Sequence, residues 1–220
     1  MKEFFRKLSS LSFRDMLSYT YIRLQHYVSG FIGTTMLYLK ACICGINISN
    51  NVRCFGTIHL SRFPKSQISL GQNVSIVSSS QRCTASSIYA PTKLKTCTPD
   101  AKIVIENNVD LNGTSIVARS KQITVGEGTM IAPNSMIIDS DFHALWPPEN
   151  RTMNPAFEND ADVVIGKNVW IGSRCIILKG VRIGDNSVIA AGSVVVNDIP
   201  PNVVAGGNYA RIIKVLDKGE

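Results

Sequence analysis

Residues 165–195 read Ile165-Gly-Lys-Asn-Val-Trp-Ile171-Gly-Ser-Arg-Cys-Ile-Ile177-Leu-Lys-Gly-Val-Arg-Ile183-Gly-Asp-Asn-Ser-Val-Ile189-Ala-Ala-Gly-Ser-Val-Val195. An aliphatic residue stands at every sixth position, and Gly or Ala follows most of these anchors. A period of six fits neither a 3.6-residue helix nor a simple strand meander. It is typical of a solenoid in which each hexapeptide forms one short face. The anchor points inward, and the Gly or Asn after it forms the corner. Three faces close one coil of about 18 residues.

The same period extends towards the N-terminus of the chain. It continues at Val125, Ile131 and Ile137, then at Ile105, Leu111 and Val117, with weaker copies near 48–52 and 70–74. Repeats that stack in this way build a continuous aliphatic core. We therefore predict an all-β fold, a parallel β-helix of hexapeptide repeats over residues 46–206. A C-terminal tail over 207–220 follows it.

The composition agrees with one mostly β domain. The chain has 220 residues, of which 45% are hydrophobic and only 7% aromatic, and this excludes general disorder. Its net charge is +7. Residues 1–100 hold 12 basic and 3 acidic residues, whereas 101–220 hold 11 and 13. A basic half suits an anionic membrane or an acidic ligand. Without clustered arginines and interleaved aromatics, we do not expect nucleic-acid binding.

Residues 1–45 lack the period. Their mixture of apolar and basic residues predicts one or two short amphipathic helices. These would form either a cap on the open end of the solenoid or a segment lying on a membrane surface. We find no run of about 18 uncharged apolar residues that would predict a transmembrane helix, and no cleaved signal peptide. The localisation predicted is cytoplasmic, at the inner membrane face if the leader binds lipid.

Two other features bear on cofactors. The six cysteines form no CxxC pair, which predicts reduced thiols in a cytosolic protein. The three histidines, His26, His59 and His143, lie far apart, so we expect no metal site.

Two segments interrupt the repeat. Residues 78–100 are polar and contain Pro91 and Pro99, which predicts an irregular loop. Residues 139–161 form a longer insertion that is rich in acidic residues and also carries aromatics and a histidine. Long loops extruded from a regular scaffold are usually functional or disordered. The aromatic content favours a functional loop.

The stretch 165–195, together with Asp198-Ile-Pro-Pro-Asn-Val-Val-Ala-Gly-Gly207, resembles the hexapeptide-repeat acetyltransferases. That family includes the maltose/galactoside, nodulation, streptogramin, colanic-acid and O-antigen enzymes. The resemblance is strong over 103–216 and loose over 46–80. It implies a left-handed coil, an exception to the usual crossover rule. It also implies a homotrimer with active sites between subunits and acetyl-CoA as donor.

The resemblance identifies a catalytic residue. The family's base follows a coil ending Ile-Ala-Pro-Asn, and here Ile131-Ala-Pro-Asn134 precedes His143. Acetyl transfer from a thioester to a hydroxyl needs a base for the alcohol, and a neutral imidazole can take that proton. Asp139 or Asp141 would orient the ring, although solvated carboxylates and a backbone carbonyl holding the ring are equally compatible with the sequence.

The same resemblance implies binding residues. Asn112 matches an acceptor-binding Asn, with a corner Asn as the alternative. Phe142 and Trp146 would stack on a sugar or pack the loop, and Trp170 would bind acceptor or pack at a subunit interface. Acetyl-CoA binding is implied for Ser173, as oxyanion donor, and for Ala191, Val196, Asn197, Arg211 and Lys214. The family's Gly-x-Pro-Ala-Lys is here Gly207-Asn-Tyr-Ala-Arg211, without the Pro.

The expected activity is O-acetylation of a sugar hydroxyl. A basic leader is similar to that of enzymes acting on capsule, O-antigen or exopolysaccharide, or on a lipid-linked precursor. The alternative is a soluble acetyltransferase for an amino-sugar nucleotide, a free saccharide or an antibiotic.

Overall fold

The computed structural model describes residues 12–216, which form one long helix followed by short strands. The helix is α1 (Phe13–Cys44), and 3-10 turns lie at Pro148–Asn150 and Phe157–Asn159. The strands are β1 (Asn47–Ile48), β2 (Arg53–Phe55), β3 (His59–Ser61), β4 (Gln67–Leu70), β5 (Ser75–Val77), β6 (Lys93–Thr96), β7 (Lys102–Ile105), β8 (Asp110–Asn112), β9 (Ser115–Ala118), β10 (Gln122–Val125), β11 (Met130–Ile131), β12 (Met136–Ile138), β13 (Val163–Ile165), β14 (Trp170–Ile171), β15 (Ile176–Ile177), β16 (Arg182–Ile183), β17 (Val188–Ile189), β18 (Val194–Val195), β19 (Val203–Gly206) and β20 (Arg211–Val215).

The strands stack into three sheets that form the faces of a coil. Sheet 1 has the order β1-β4-β7-β10-β13-β16, sheet 2 the order β2-β5-β8-β11-β14-β17-β19-β20, and sheet 3 contains β3, β6, β9, β12, β15 and β18. Every pairing is parallel except that between β19 and β20. From β1 to β18, successive strands of the chain visit sheets 1, 2 and 3 in turn, and β19 and β20 both belong to sheet 2. The predicted parallel β-helix of hexapeptide repeats is thus confirmed.

The register places the sixfold anchors on top of one another. Ile165 pairs with Ile183, Ile171 with Ile189, and Ile177 with Val195, an offset of 18 residues. These side chains are buried in one continuous core. One predicted anchor was wrong: the partner of Ile137 is Ile116, not Val117. The step from Leu111 to Ile116 is five residues, whereas the step from Ile131 to Ile137 in the next coil is six, and this difference moves the anchor by one position.

At the corners, the left-handed backbone and the close approach of adjacent coils fall on different residues, although the sequence predicted both for the Gly or Asn after the anchor. The left-handed backbone falls three residues after the anchor, as at Asn168 and Asn186, with φ of 53° and 60°. Those asparagines hydrogen-bond one another from coil to coil, Nδ2 to Oδ1 at 3.3 Å. The Gly directly after the anchor allows close approach instead: a Cβ on Gly126 would lie 2.4 Å from the Gly166 carbonyl oxygen.

The N-terminal segment differs from the prediction of short helices. The helix α1 is a single element of 32 residues, capped at Ser12 and ended by Gly45. It is long and apolar enough to cross a membrane by length and composition alone, which the sequence analysis did not anticipate. Its second half packs on β1, β2 and β3, the first strands of the three sheets. The predicted helical cap therefore lies in this half; residues 1–11 are outside the described range.

Candidate active site

The predicted base, His143, lies on the extruded loop that leaves sheet 3 after β12. Its side chain is exposed, and Nδ1 lies 2.7 Å from the Arg151 carbonyl oxygen. A carbonyl oxygen can only accept, so Nδ1 carries the proton in this contact. In the neutral ring Nε2 is then left with its lone pair. The loop thus presents an imidazole in the tautomer that a general base requires.

The two aspartates before it make other contacts. Asp139 is fully buried and accepts hydrogen bonds from the backbone N–H groups of Arg119, Ser120 and Lys121, at 2.7, 3.1 and 2.8 Å. Asp141 forms an ion pair with Lys179. Among residues 12–216 neither carboxylate contacts the imidazole, which is held by a backbone carbonyl. The carbonyl alternative left open by the sequence fits this geometry better than either Asp.

Arg119, which the sequence did not single out, anchors the loop. This buried guanidinium donates to Asp160 through Nε at 2.8 Å, and to the Ala156 carbonyl oxygen through Nη2 at 2.9 Å. Its charge also lies over the rings of Phe142 and Phe157, at 5.7 and 4.5 Å. Both ends of the loop therefore meet at one side chain. The sequence indicates this contact only weakly, through a single Arg directly after a strand and an acidic insertion later in the chain.

Asp160, the partner of Arg119 in this ion pair, is charged as well as buried. Burial alone would raise the pKa of Asp160, but hydrogen bonds from Arg119, Ser120 and Ser140 outweigh it and lower the pKa below its ordinary value. The carboxylate therefore stays ionised, and the ion pair persists, throughout the neutral range.

The loop aromatics differ in their surroundings. Phe142 is half-buried against Arg119, has a φ of 66°, and accordingly packs the loop at the residue before His143. Trp146 is 79% exposed. Of these two, only Trp146 has a face that is largely open to a ligand.

A cleft of about 480 Å³ lies on the outer face of sheet 2 and includes two predicted acceptor residues, Asn112 and Trp170. Asn112 donates through Nδ2 to the Ile131 carbonyl oxygen at 2.9 Å, so it is also a corner residue. The sequence did not single out the other polar groups that line the cleft, which include His26, Arg82, Thr84 and Asp110. Burial raises the pKa of Asp110, opposed by a hydrogen bond from Ser75.

The predicted donor-binding residues occupy three places. Ser173 and Ala191 stack at the corner between sheets 2 and 3, where Gly192 N–H donates to the Ser173 carbonyl oxygen at 2.8 Å. Val196 and Asn197 follow β18 at the corner between sheets 3 and 1. Arg211 and Lys214 lie on β20, which is exposed along its length.

The corner between sheets 2 and 3 is continuous with the cleft. Asn134 N–H donates to the Asn112 carbonyl oxygen at 3.2 Å, and Arg174 N–H to that of Pro133 at 2.9 Å, so Ser173 lies one coil beyond the cleft. His143 instead projects from the corner between sheets 3 and 1. The face of sheet 3 separates them, because about five residues at about 3.3 Å each span from one corner to the other. Within the part of the chain that the structure describes, His143 is not among the side chains that line the cleft.

Cysteine and metal chemistry are not evident at this site. The six cysteines are free thiols. Burial raises the pKa of Cys54 to about 12, against a smaller opposing effect of Lys40. Within the described range 12–216, no group of three or more His, Cys, Asp or Glu side chains is arranged to hold a metal ion.

Comparison with known proteins agrees with the coil architecture. The family described as bacterial transferase hexapeptide (six repeats) matches residues 162–197. The chain is 38% identical over 117 residues to galactoside O-acetyltransferase of Escherichia coli (strain K12), covering 53% of this chain and 56% of that one. It is 46% identical over 98 residues to galactoside O-acetyltransferase of Lactococcus lactis subsp. lactis (strain IL1403), covering 44% and 45%.

The chain thus spans about half the length of the curated relatives it matches. Among solved structures, AntD, an N-acyltransferase from Bacillus cereus in complex with dTDP and 3-hydroxybutyryl-CoA, superposes with a TM-score of 0.60. It is 18% identical and the match covers 83% of this chain and 89% of that one, so it supports the fold alone. Together these findings confirm the resemblance to hexapeptide-repeat acetyltransferases over the coils.

Proposed function

We propose that this chain, whose coils are similar to those of the hexapeptide-repeat acetyltransferases, transfers an acetyl group from acetyl-CoA to a sugar hydroxyl with His143 as general base. The observation that carries the proposal is the contact between Nδ1 and the Arg151 carbonyl oxygen, at 2.7 Å. It fixes the tautomer and leaves Nε2 as the proton acceptor on an exposed loop.

The proposed reaction follows from that tautomer. Nε2 takes the proton of the acceptor hydroxyl while its oxygen attacks the thioester carbonyl carbon. The carbonyl oxygen becomes an oxyanion, for which Ser173 N–H is the proposed donor. Collapse of the tetrahedral intermediate forms the ester and breaks the carbon–sulfur bond. The imidazolium then returns its proton to the coenzyme A thiolate.

The donor would lie along the corners of the coil. Ser173 and Ala191 would line the pantetheine arm, and Val196 and Asn197 would continue the groove. Arg211 and Lys214 would attract the phosphates of the coenzyme, since β20 exposes both side chains.

We infer that the enzyme is a homotrimer with active sites shared between subunits. Support comes from their positions in one chain: His143 follows β12 at the corner between sheets 3 and 1, whereas the cleft lies on the outer face of sheet 2. Threefold cyclic symmetry would place the loop of one subunit beside the cleft of the next. Trp170, which is 53% exposed on that face, would then meet acceptor or partner.

The acceptor proposed is a bacterial surface polysaccharide or its lipid-linked precursor, modified at the cytoplasmic face of the membrane. The cleft supports a saccharide, since Asn112, Asp110 and Arg82 offer hydrogen-bonding groups beside the ring of Trp170. The apolar, exposed helix α1 supports an acceptor held near lipid.

The test is acetyl transfer by the full chain across a panel of acceptors, with the acetylated position located by mass spectrometry. The panel contains lipid-linked oligosaccharide, free polysaccharide, free saccharides, an amino-sugar nucleotide and an antibiotic. Ester formation on a glycan hydroxyl supports the proposal. Turnover confined to the amino-sugar nucleotide or the antibiotic would replace it with the soluble small-molecule alternative.

The base is tested by replacing His143 with Ala. Loss of a general base typically lowers kcat by about 10²–10⁴-fold, and we expect that loss here with the oligomer mass unchanged. His59→Ala is the matched control, because this exposed histidine lies on β3, outside the loop and the cleft. Equal activity of the two variants would contradict the assignment.

A further inference from the structure

The helix α1 exposes an unusual amount of apolar surface. Of the 27 large hydrophobic side chains that are exposed between residues 12 and 216, 15 lie on this one helix. Phe13, Tyr27, Phe31 and Ile43 are each more than 60% exposed. Soluble surfaces rarely carry a contiguous apolar patch of this extent unless something covers it.

The coil cannot supply that cover, because the helix is already fixed on it by a narrow stripe of small residues. A Cβ on Gly33 would lie 2.4 Å from the Gly56 carbonyl oxygen, so helix and β2 are in direct backbone contact. Thr34 Oγ1 donates to the Cys54 carbonyl oxygen at 3.3 Å. The opposite side faces away from the coils, and before Gln25 every residue of the helix is exposed.

The charges around this surface favour an anionic partner. No Asp, Glu, Lys or Arg occurs from residue 24 to residue 39. Arg14 and Arg23 precede that run on the exposed part of the helix, whereas Lys40, which follows it, is turned to the coil and donates through Nζ to the Ile58 carbonyl oxygen at 2.7 Å. The one acidic residue of the helix, Asp15, is engaged in the capping box with Ser12. The first 100 residues carry 12 basic against 3 acidic residues. Basic residues beside an apolar helix attract anionic headgroups.

We propose that α1 docks the protein on the surface of an anionic lipid bilayer, lying in the interface with its apolar side in the headgroup–acyl boundary. A spanning orientation conflicts with the packing of Gly33, Leu37 and Ala41, which are buried against the coil. A second copy of α1 would cover one side of a helix whose first turns are exposed all round. This inference goes beyond acetyl transfer and does not depend on it.

The experiment is sedimentation of the full-length protein with liposomes, using phosphatidylcholine alone and a 3:1 mixture with phosphatidylglycerol. We expect co-sedimentation with the anionic vesicles, weakened by high salt. Protein that remains in the supernatant with anionic vesicles, or that binds both compositions equally, overturns the proposal.

Two matched variants locate the contact. Phe31→Asp removes a 65% exposed ring from α1, whereas Phe63→Asp makes the same change at a 41% exposed ring after β3. We expect the first to weaken vesicle binding by about tenfold or more, and the second to leave it unchanged. Equal effects would overturn the assignment. Should Phe31→Asp misfold by circular dichroism, Arg23→Glu replaces it, with about a fivefold or greater loss expected.

A copy of this chain is the rival occupant. If α1 pairs with itself instead, Phe31→Asp lowers the oligomer mass without vesicles and leaves vesicle binding intact. That pair of results would contradict the lipid proposal.

Discussion

At the scale of single residues, the glycines after the anchors leave little room for a larger side chain, and the buried thiols are shielded from reagents. Periodicity in the sequence predicted the anchors because an inward side chain must be apolar at every turn. It did not separate the Gly that permits close approach from the Asn that takes the left-handed backbone. Both residue types are compatible with a corner, and only the packing of adjacent coils distinguishes them.

Replacing Gly172 with Ala tests the close approach. The new Cβ would lie 2.5 Å from the Ala191 backbone nitrogen, so two coils must shift. We expect a loss of about 1–3 kcal/mol in the free energy of unfolding and a higher KM for acetyl-CoA, because Ser173 moves as well. Gly192→Ala is the comparison, with nothing within 4 Å of its Cβ and only a φ of 74° to oppose it. Denaturant unfolding measures both; a larger loss at Gly192 would contradict the argument.

Thiol reactivity is the second residue-scale prediction. Cys42 is exposed, whereas Cys54 is buried with its pKa raised to about 12. Since the thiolate is the nucleophile, we expect a maleimide to label Cys42 rapidly at about pH 7.5 and Cys54 only after unfolding. Peptide mapping of the native protein reads this out. Early labelling of Cys54 would mean that α1 leaves β2 readily.

At the scale of elements, the loop over 139–161 is anchored by the buried Arg119–Asp160 ion pair, which the sequence did not predict. The repeat made the insertion visible because the period stops at 138 and resumes at 163. The fixing of that insertion depends on Arg119 and Asp160, which are 41 positions apart and have no periodic relation. Contacts of this kind are specified by three-dimensional packing alone, as is the carbonyl contact of His143.

Replacing Arg119 with Met should release the loop while the coils stay folded. Removing one partner of a buried pair costs about 3–5 kcal/mol, and this loss would fall on residues 140–161. We expect kcat to decrease, and trypsin to cleave faster after Arg151, which is exposed in the loop. Lys121→Met is the control, since only its backbone holds Asp139. Unchanged proteolysis in Arg119→Met would show that the loop is held elsewhere.

The stability that the Arg119–Asp160 ion pair gives the loop depends on pH in a definite direction. The pKa of Asp160 is lower in the folded protein than its ordinary value of 3.8. The stabilisation from Asp160 is therefore complete above about pH 4 and decreases as the pH falls through the lower folded value. Tryptic cleavage after Arg151 cannot be followed in acid, so pepsin at about pH 2–4 provides the readout. Loosening of the loop between about pH 5 and 8 would contradict this assignment.

At the scale of the whole molecule, the repeat predicted the architecture almost completely. A solenoid is specified by one short sequence motif that is repeated many times. Even the weak copies of this motif near residues 48 and 70 were therefore enough to place the first coils. The long helix was harder to predict, because its apolar residues surround the axis and are broken by Gly and Thr that prove to be its packing stripe.

Subunit sharing is tested at this scale. We expect a mass of about 72 kDa by light scattering, three times the 24.0 kDa of one chain. His143→Ala and Asn112→Ala should each be inactive alone. If base and cleft come from neighbouring subunits, co-expressing both variants should restore about a quarter of the activity through random assortment. An inactive mixture would mean that each chain carries its own complete site.

The position of α1 also determines the direction in which copies of this fold can associate. Its second half covers the first strands of all three sheets, where unpaired backbone N–H and C=O groups would otherwise offer a template for another coil. At the far end, β20 turns back antiparallel and closes the edge of sheet 2. Stacks of identical coils would otherwise lengthen without limit, as fibres do. A covered first coil and a closed edge of sheet 2 favour association sideways, into a closed ring, over lengthwise growth into a filament.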